Sequence, residues 1–158
     1  MDANLLNQFI LATAHIFKQV GNIDIRKEAV RTVDPNYRII SDIATIIGIT
    51  GAVRGQMVIV INEAMALKFA SALLMGEVIK EFNELAESSI CEMGNMIAAA
   101  ASQRMHDMGH VCDVSCPSII RGKSVEISLY PRAPVFVVQF GTDWGPLQII
   151  LKLEMDKS

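Results

Sequence analysis

The N-terminal segment shows the apolar spacing of an amphipathic helix. Large apolar side chains recur there every three or four residues, at Leu5, Leu6, Phe9, Ile10, Ile16, Phe17 and Val20. A helix brings such positions onto one face because it has about 3.6 residues per turn. With Asp2 or Asn4 as a cap and Gly21 behind the last turn, the pattern predicts a first helix over about residues 3–20.

After this helix the chain becomes rich in β-branched side chains. Residues 23–33 predict a strand that ends at Asp34-Pro35, and the isoleucine-rich stretch 37–49 predicts another. Gly51 and Arg54-Gly55 supply turn residues before the continuous apolar run 57–61. The second strand and the run 57–61 are therefore predicted to form a hairpin of well-buried strands.

Two further helices and more strands follow. Asn62 can cap a second helix that Gly76 closes, and a third, longer helix is predicted from about Asn83 to Met108. Gly109 provides its left-handed stop. The predicted strands that follow are Val125–Tyr130, ended by Pro131, and a hairpin of residues 135–140 and 147–153.

This order of elements predicts an α+β fold. Each half of the chain runs helix, extended connection and hairpin, which is a weak internal repeat. Long helices are expected to pack on one face of a largely antiparallel sheet, giving a two-layer sandwich. A chain of 158 residues is the usual size of one domain, so residues 1–158 are predicted to form a single domain.

Composition narrows the class of protein. With 51% hydrophobic and 20% charged residues and a net charge of −3, the chain is folded and lacks the basic stripe of a nucleic-acid binder. Three cysteines at irregular spacings predict reduced thiols. The sequence does not begin with the basic residues and apolar stretch of an export signal, and it has no apolar run of about 18 residues. We therefore expect a cytoplasmic protein without membrane insertion.

The predicted third helix has an unusual outer face. On a helical wheel its buried stripe is Ala86, Ile90, Met93, Ile97 and Ala101. The opposite side gathers Ser88, Glu92, Asn95, Ala99, Ser102 and His106. Solvated helix faces usually carry long charged side chains, whereas this face has small ones around one Glu and one Asn. Gly94-Asn95 at the helix centre disfavours helix formation, which points to a function, and small neighbours permit a partner's backbone to approach.

The motif Ser88-x-x-x-Glu92-x-x-Asn95 resembles the Ser/Asp-x-x-x-Glu-x-x-Asn signature of the CheC/CheX/FliY phosphatases of bacterial chemotaxis. Further resemblance, especially to the CheX branch, lies at Ile47–Gly51, Arg54–Gln56, Ala66–Lys68 and Asn95–Ile97. It spans roughly residues 1–153. CheC-like members carry two motifs, but the first helix here contains no Glu, which favours one centre per chain.

The resemblance implies a phosphatase that acts on the phosphoaspartate of a CheY-like response regulator. Asn95 would position the attacking water, as Gln does in some GTPases, and Glu92 would pair with a lysine of the regulator. Ser88, Ala99 and Ser102 are expected to be partner-binding surface. The protein would need no cofactor of its own because the regulator brings Mg²⁺. The resemblance also implies a homodimer formed through sheet edges.

Three other interpretations stay open at this point. The Glu92–Asn95 face could be ordinary solvated helix, or it could dock a receiver domain without catalysis, as an adaptor does. His106, His110, Cys112 and Cys116 could instead ligate zinc, although Gly109 should break the helix between the two histidines. A helix end followed by a strand with two small buried thiols fits that segment better.

Overall fold

A computed structural model describes residues 3–34, 37–129 and 134–156. The helices are α1 (Ala3–Gly21), α2 (Glu63–Leu73) and α3 (Glu84–Asp107). The strands are β1 (Arg26–Val33), β2 (Arg38–Gly51), β3 (Val53–Ile61), β4 (Cys112–Val114), β5 (Ser118–Ser128), β6 (Val135–Gly141) and β7 (Leu147–Met155). The predicted strand ends at Pro35 and at Tyr130-Pro131 lie outside the described residues.

The strands of the described chain form one antiparallel sheet in the order β1-β6-β7-β3-β2-β4, with β5 also paired to β2. The pairing is reciprocal between the two halves. β1 of the first half pairs with the β6–β7 hairpin, and β5 of the second half pairs with the β2–β3 hairpin. β3 and β7 join the hairpins at the centre. The two halves of the chain therefore repeat the same order of elements and the same pattern of strand pairing, as the predicted internal repeat implies.

All three helices pack on the same face of this sheet. Their apolar residues share one core cluster with alternate residues of the central strands, such as Met57, Ile59 and Leu151. Alternation along a strand turns the residues in between, such as Val58 and Ile150, to the opposite face. The predicted α+β sandwich, with helices on one face of an antiparallel sheet, is confirmed.

The second face of the sheet is also buried at its centre. Val58, Val137 and Ile150 are fully buried there and belong to a second apolar cluster. Ile39 of β2 and Ile127 of β5 also belong to this cluster, and they lie at the far ends of two strands that pair with each other. A register shift between Ser41 and Ile43 interrupts that pairing. Both faces of the central strands are therefore protected from water.

Two predicted boundaries were wrong. Arg54-Gly55 lies inside β3, not in the turn, because β7 passes so close that a Cβ at Gly55 would overlap the carbonyl oxygen of Lys152. β5 begins at Ser118 rather than at Val125. The register shift that separates Arg121 from Val125 breaks the alternation by which a strand is recognised in sequence.

Candidate functional site on helix α3

Helix α3 has well-defined ends that fix its register. The side chain of Asn83 accepts a hydrogen bond from the backbone nitrogen of Ala86 at 3.0 Å, which caps the first turn. At the other end Gly109 has φ +87°, and the backbone nitrogen of His110 donates to the carbonyl of Met105 at 2.9 Å. The helix therefore ends where Gly109 was predicted to stop it.

The rotation of α3 about its axis agrees with the helical wheel. The five stripe residues, Ala86, Ile90, Met93, Ile97 and Ala101, are completely buried. On the opposite side Ser88, Glu92, Asn95, Ala99 and His106 are exposed, and Ser102 is half-buried. The structure thus brings the predicted site residues together on one outward face. Their roles in catalysis and binding stay predictions.

Glu92 and Asn95 are available for contacts with another molecule. Within the described ranges neither side chain takes part in a hydrogen bond or ion pair with the rest of the chain. Residues three apart on a helix have Cβ atoms about 5–6 Å from each other, so both can reach the same small region of a partner. Their scaffold is rigid because the inner side of the same helix is fully packed.

Ser102 has a structural contact that the sequence did not reveal. Its hydroxyl donates to the backbone carbonyl of Cys112 at 2.7 Å, and this bond ties α3 to β4. The small side chain still forms part of the outer face, but its hydroxyl is already engaged.

Gly94, whose presence at the helix centre points to a function, faces the interior of the protein. Gly94 is buried against the sheet, beside Thr45 and Ile47 of β2. The close approach at this residue is therefore within the protein, while Asn95 beside it faces solvent.

The thiol of Cys91 is poorly suited to act as a nucleophile. Burial raises the pKa of Cys91 above its usual value, and the nearby charge of Glu87 raises it further. Because the thiolate is the reactive form, a raised pKa keeps this sulfur protonated and unreactive at neutral pH.

A shallow groove of about 360 Å³ extends the face towards β4. Ala99, Ser102 and His106 line it from α3, and Val111 and Val114 line it from the other side. The Val111 side chain is 62% exposed. The sequence did not single out Val111, because its position beside α3 depends on how β4 pairs with β2.

The four residues of the possible zinc site do not form a ligand cluster. Among the described residues, no three His, Cys, Asp or Glu side chains gather closely enough to hold a metal ion. The prediction of two buried thiols was half wrong, since Cys112 is buried but Cys116 is exposed.

No helix within the described ranges is long and apolar enough to cross a membrane.

Solved structures share this architecture. The crystal structure of a chemotaxis protein CheX from Desulfovibrio desulfuricans has a TM-score of 0.85 and 22% identity, covering 96% of this chain and 99% of that one. A CheX–CheY–BeF₃–Mg²⁺ complex from Borrelia burgdorferi matches with a TM-score of 0.72 and 22% identity, over 94% and 97% of the two chains. This chain therefore has the fold of these chemotaxis proteins.

The sequence comparisons identify the branch. The CheY-P phosphatase CheX of Thermotoga maritima is 29% identical over 130 residues, which are 82% of this chain and 83% of that protein. The family described as chemotaxis phosphatase CheX matches residues 43–141. This chain belongs to the CheX family.

Proposed function

We propose that this protein accelerates hydrolysis of the phosphoaspartate of a CheY-like response regulator. The observation that carries the proposal is the pair Glu92 and Asn95, exposed and unengaged by the rest of the described chain, on the outward face of a rigid helix. Membership in the CheX family supports it. A relative from Thermotoga maritima bears the name CheY-P phosphatase, and a Borrelia CheX has been crystallised with CheY and Mg²⁺.

Asn95 supplies the positioning group in this proposal. Its amide can accept a hydrogen bond from a water and donate one to a phosphoryl oxygen, which fixes the line of attack on phosphorus. The regulator's own Mg²⁺ balances the phosphoryl charge, so the phosphatase has to contribute little beyond geometry. The water attacks phosphorus, the phosphorus–oxygen bond to the aspartate breaks, and inorganic phosphate leaves.

Glu92 sets the docking register. Its carboxylate, one turn before Asn95, would pair with a lysine at the phosphorylation site of the regulator. Ser88 and Ala99 are small, so the backbone of the regulator can approach the helix closely on both sides of this pair. Ser102, further along, would contribute surface rather than a free hydroxyl.

One assay tests the function directly. A CheY-like receiver domain is phosphorylated with acetyl phosphate in Mg²⁺, the phosphodonor is removed, and loss of phosphate is followed with and without this protein. We expect catalytic amounts of the protein to shorten the phosphate lifetime by tenfold or more, about the scale of positioning effects. Measurable binding with an unchanged lifetime would contradict a phosphatase and support the adaptor interpretation.

We also propose that the protein is a cytoplasmic homodimer joined through a sheet edge. β1 pairs with β6 on one side, and no other described strand pairs with β1. Its residues are exposed along nearly the whole strand, including Val30. A free strand edge presents unpaired backbone donors and acceptors, which β1 of a second copy can satisfy.

A further inference from the structure

The backbone of α3 rests directly on the sheet at Gly94. A Cβ added at this residue would lie 2.9 Å from Cγ2 of Thr45, 3.1 Å from Cδ1 of Ile47 and 3.4 Å from Cγ of Pro117. The first two distances are shorter than ordinary carbon–carbon contacts of about 3.5–4.0 Å. We call Thr45, Ile47 and Pro117 the seat of α3. A glycine lets the helix come closer to this seat than any other residue would.

The backbone that carries the seat is held in place by hydrogen bonds. Thr45 and Ile47 are completely buried in β2, which is hydrogen-bonded to β3 on one side and to β4 and β5 on the other. Pro117 follows a segment clamped to the same strand. The backbone nitrogen of Ser115 donates to the carbonyl of Gly48 at 2.9 Å, and the backbone nitrogen of Gly48 donates to Oγ of Ser115 at 2.8 Å.

Glycine at the centre of a helix needs a physical reason. It costs about 1 kcal/mol relative to alanine, and the third helix could have gained that stability with an alanine on its buried side. Gly94 lies between Glu92 and Asn95 in sequence but points to the opposite side. Gly94 sets the distance between the axis of α3 and the sheet. That distance in turn determines how far from the sheet Glu92 and Asn95 lie.

We propose that Gly94 is a positioning residue for Glu92 and Asn95, with the seat as its reference surface. The inference rests on the proposed phosphatase function. Functional groups have to be held within about 0.5 Å of their productive geometry, and a misplacement of about 1 Å can cost roughly 100-fold in rate. An alanine at position 94 would lift or rotate this turn of α3 by a few tenths of an ångström or more.

The experiment is a set of paired comparisons in the phosphate-loss assay. Gly94→Ala is measured in the wild-type background, in Thr45→Ser, which lacks Cγ2, and in Thr45→Val, which keeps a methyl there. Thr45→Val is a matched control because Oγ1 of Thr45 is buried without a hydrogen-bond partner in the described chain, so no hydrogen bond is lost.

We expect Gly94→Ala to lower kcat by about tenfold or more, with a smaller change in KM for the phosphorylated regulator. In the Thr45→Ser background, Gly94→Ala should lower kcat by less than about threefold, because Cγ2 of Thr45, the atom closest to the added Cβ, is absent. In the Thr45→Val background the full loss should remain. Urea unfolding of each variant ensures that every assay is run on folded protein.

A second background is included in case Gly94→Ala does not fold in the wild-type protein. Thr45→Ser combined with Ile47→Val removes both of the closest atoms, and kcat is compared there with and without Gly94→Ala. An unchanged kcat for folded Gly94→Ala, or an equal loss in all backgrounds, would overturn the positioning role alone. Failure of the wild-type protein to accelerate phosphate loss would overturn the proposed function as well.

Discussion

At the scale of single residues, the proposed function depends on two side chains that form no hydrogen bond or ion pair with the rest of the described chain. Glu92 and Asn95 are exposed on a helix whose inner side is completely packed. Neither side chain contributes a described hydrogen bond or ion pair to the stability of the monomer. Their replacement should therefore separate activity from stability.

Asn95→Ala is expected to abolish acceleration of phosphate loss, because no other side chain in the described site orients the water. The loss should be about 100-fold or more in kcat, whereas the free energy of unfolding should rise by up to about 0.7 kcal/mol, because alanine favours a helix more than asparagine does. Asn7→Ala is the matched control, since Asn7 is also an exposed helical asparagine, on α1. Full activity of a folded Asn95→Ala protein would contradict the mechanism.

Glu92→Gln keeps the shape of the side chain and removes its charge. A lost charge-assisted hydrogen bond of about 1.5–3 kcal/mol corresponds to a rise of roughly tenfold or more in KM for the phosphorylated regulator. The dependence of KM on salt should also become weaker. Glu87→Gln is the control, because Glu87 is exposed roughly 140° around the same helix. Equal effects of the two substitutions would refute a docking role for Glu92.

At the scale of elements, the attachment of α3 to its surroundings decides how the site is presented. The helix is capped by Asn83, packed against α1 and α2, seated on β2 at Gly94 and tied to β4 by Ser102. These contacts hold one helix from several directions. Loosening one of them should be measurable as stability.

Ser102→Ala is expected to lower the free energy of unfolding by about 1 kcal/mol, because the carbonyl of Cys112 loses its bond to the hydroxyl. Ser88→Ala is the matched control on the same face of α3, where the exposed side chain has no described hydrogen bond. Its free energy should change by less than about 0.5 kcal/mol in urea unfolding. Equal destabilisation by both substitutions would show that the bond to Cys112 contributes nothing.

At the scale of the whole molecule, two features of the sheet lead to predictions: its unpaired edge on the side opposite β4 and β5, and one buried charge. The edge is that of β1. The charge is that of Lys152 in β7, which is 4% exposed and whose Nζ has no hydrogen-bond partner among the residues described. Each feature predicts a property of the folded protein that can be measured without a regulator.

Lys152 should make the protein more stable as the pH rises. Burial lowers the pKa of Lys152 below 10.5, although the charge of Glu154 opposes this. Between the lowered pKa and 10.5 the unfolded chain binds more protons than the folded one, so the free energy of unfolding increases with pH.

Lys152→Met should therefore stabilise the protein at pH 7 by on the order of 1 kcal/mol, and this advantage should shrink as the pH approaches 10. Lys68→Met, at an exposed position of α2, is the control and should change stability little at any pH. Urea unfolding between pH 7 and 10 measures both variants. An advantage of Lys152→Met that does not vary with pH would contradict the account.

The free edge predicts the mass of the protein in solution. Light scattering should give twice the chain mass of 17.3 kDa at micromolar concentration. Val30→Lys in β1 should shift the equilibrium towards the monomer, because the lysines of two facing β1 strands would repel each other. Arg38→Lys, in β2, is a charge-neutral control. A wild-type monomer at tens of micromolar would contradict the dimer.

The sequence by itself determined most of the elements and the rotation of α3. Helices α1 and α3, the cap and stop of α3, the buried stripe from Ala86 to Ala101 and the outward pair Glu92 and Asn95 follow from local periodicity and capping. The stop of α1 was predicted one residue early, because Gly21 is its last residue and Asn22 adopts the left-handed conformation with φ +50°. Periodicity and capping are short-range properties, because they depend on residues within a few turns of one another. The candidate site could be found for the same reason, as its two principal residues are three apart on one helix.

The tertiary structure alone decided what depends on partners distant in sequence. Gly55 is interpreted as a turn residue until β7 is known to pass beside it, and the reason for a glycine at position 94 is missing until β2 is known to lie beneath it. The bond from Ser102 to Cys112 and the approach of Val111 to α3 depend in the same way on strand pairing. A glycine or a serine has the same local signal whichever neighbour it meets, so only the packed fold assigns it a role.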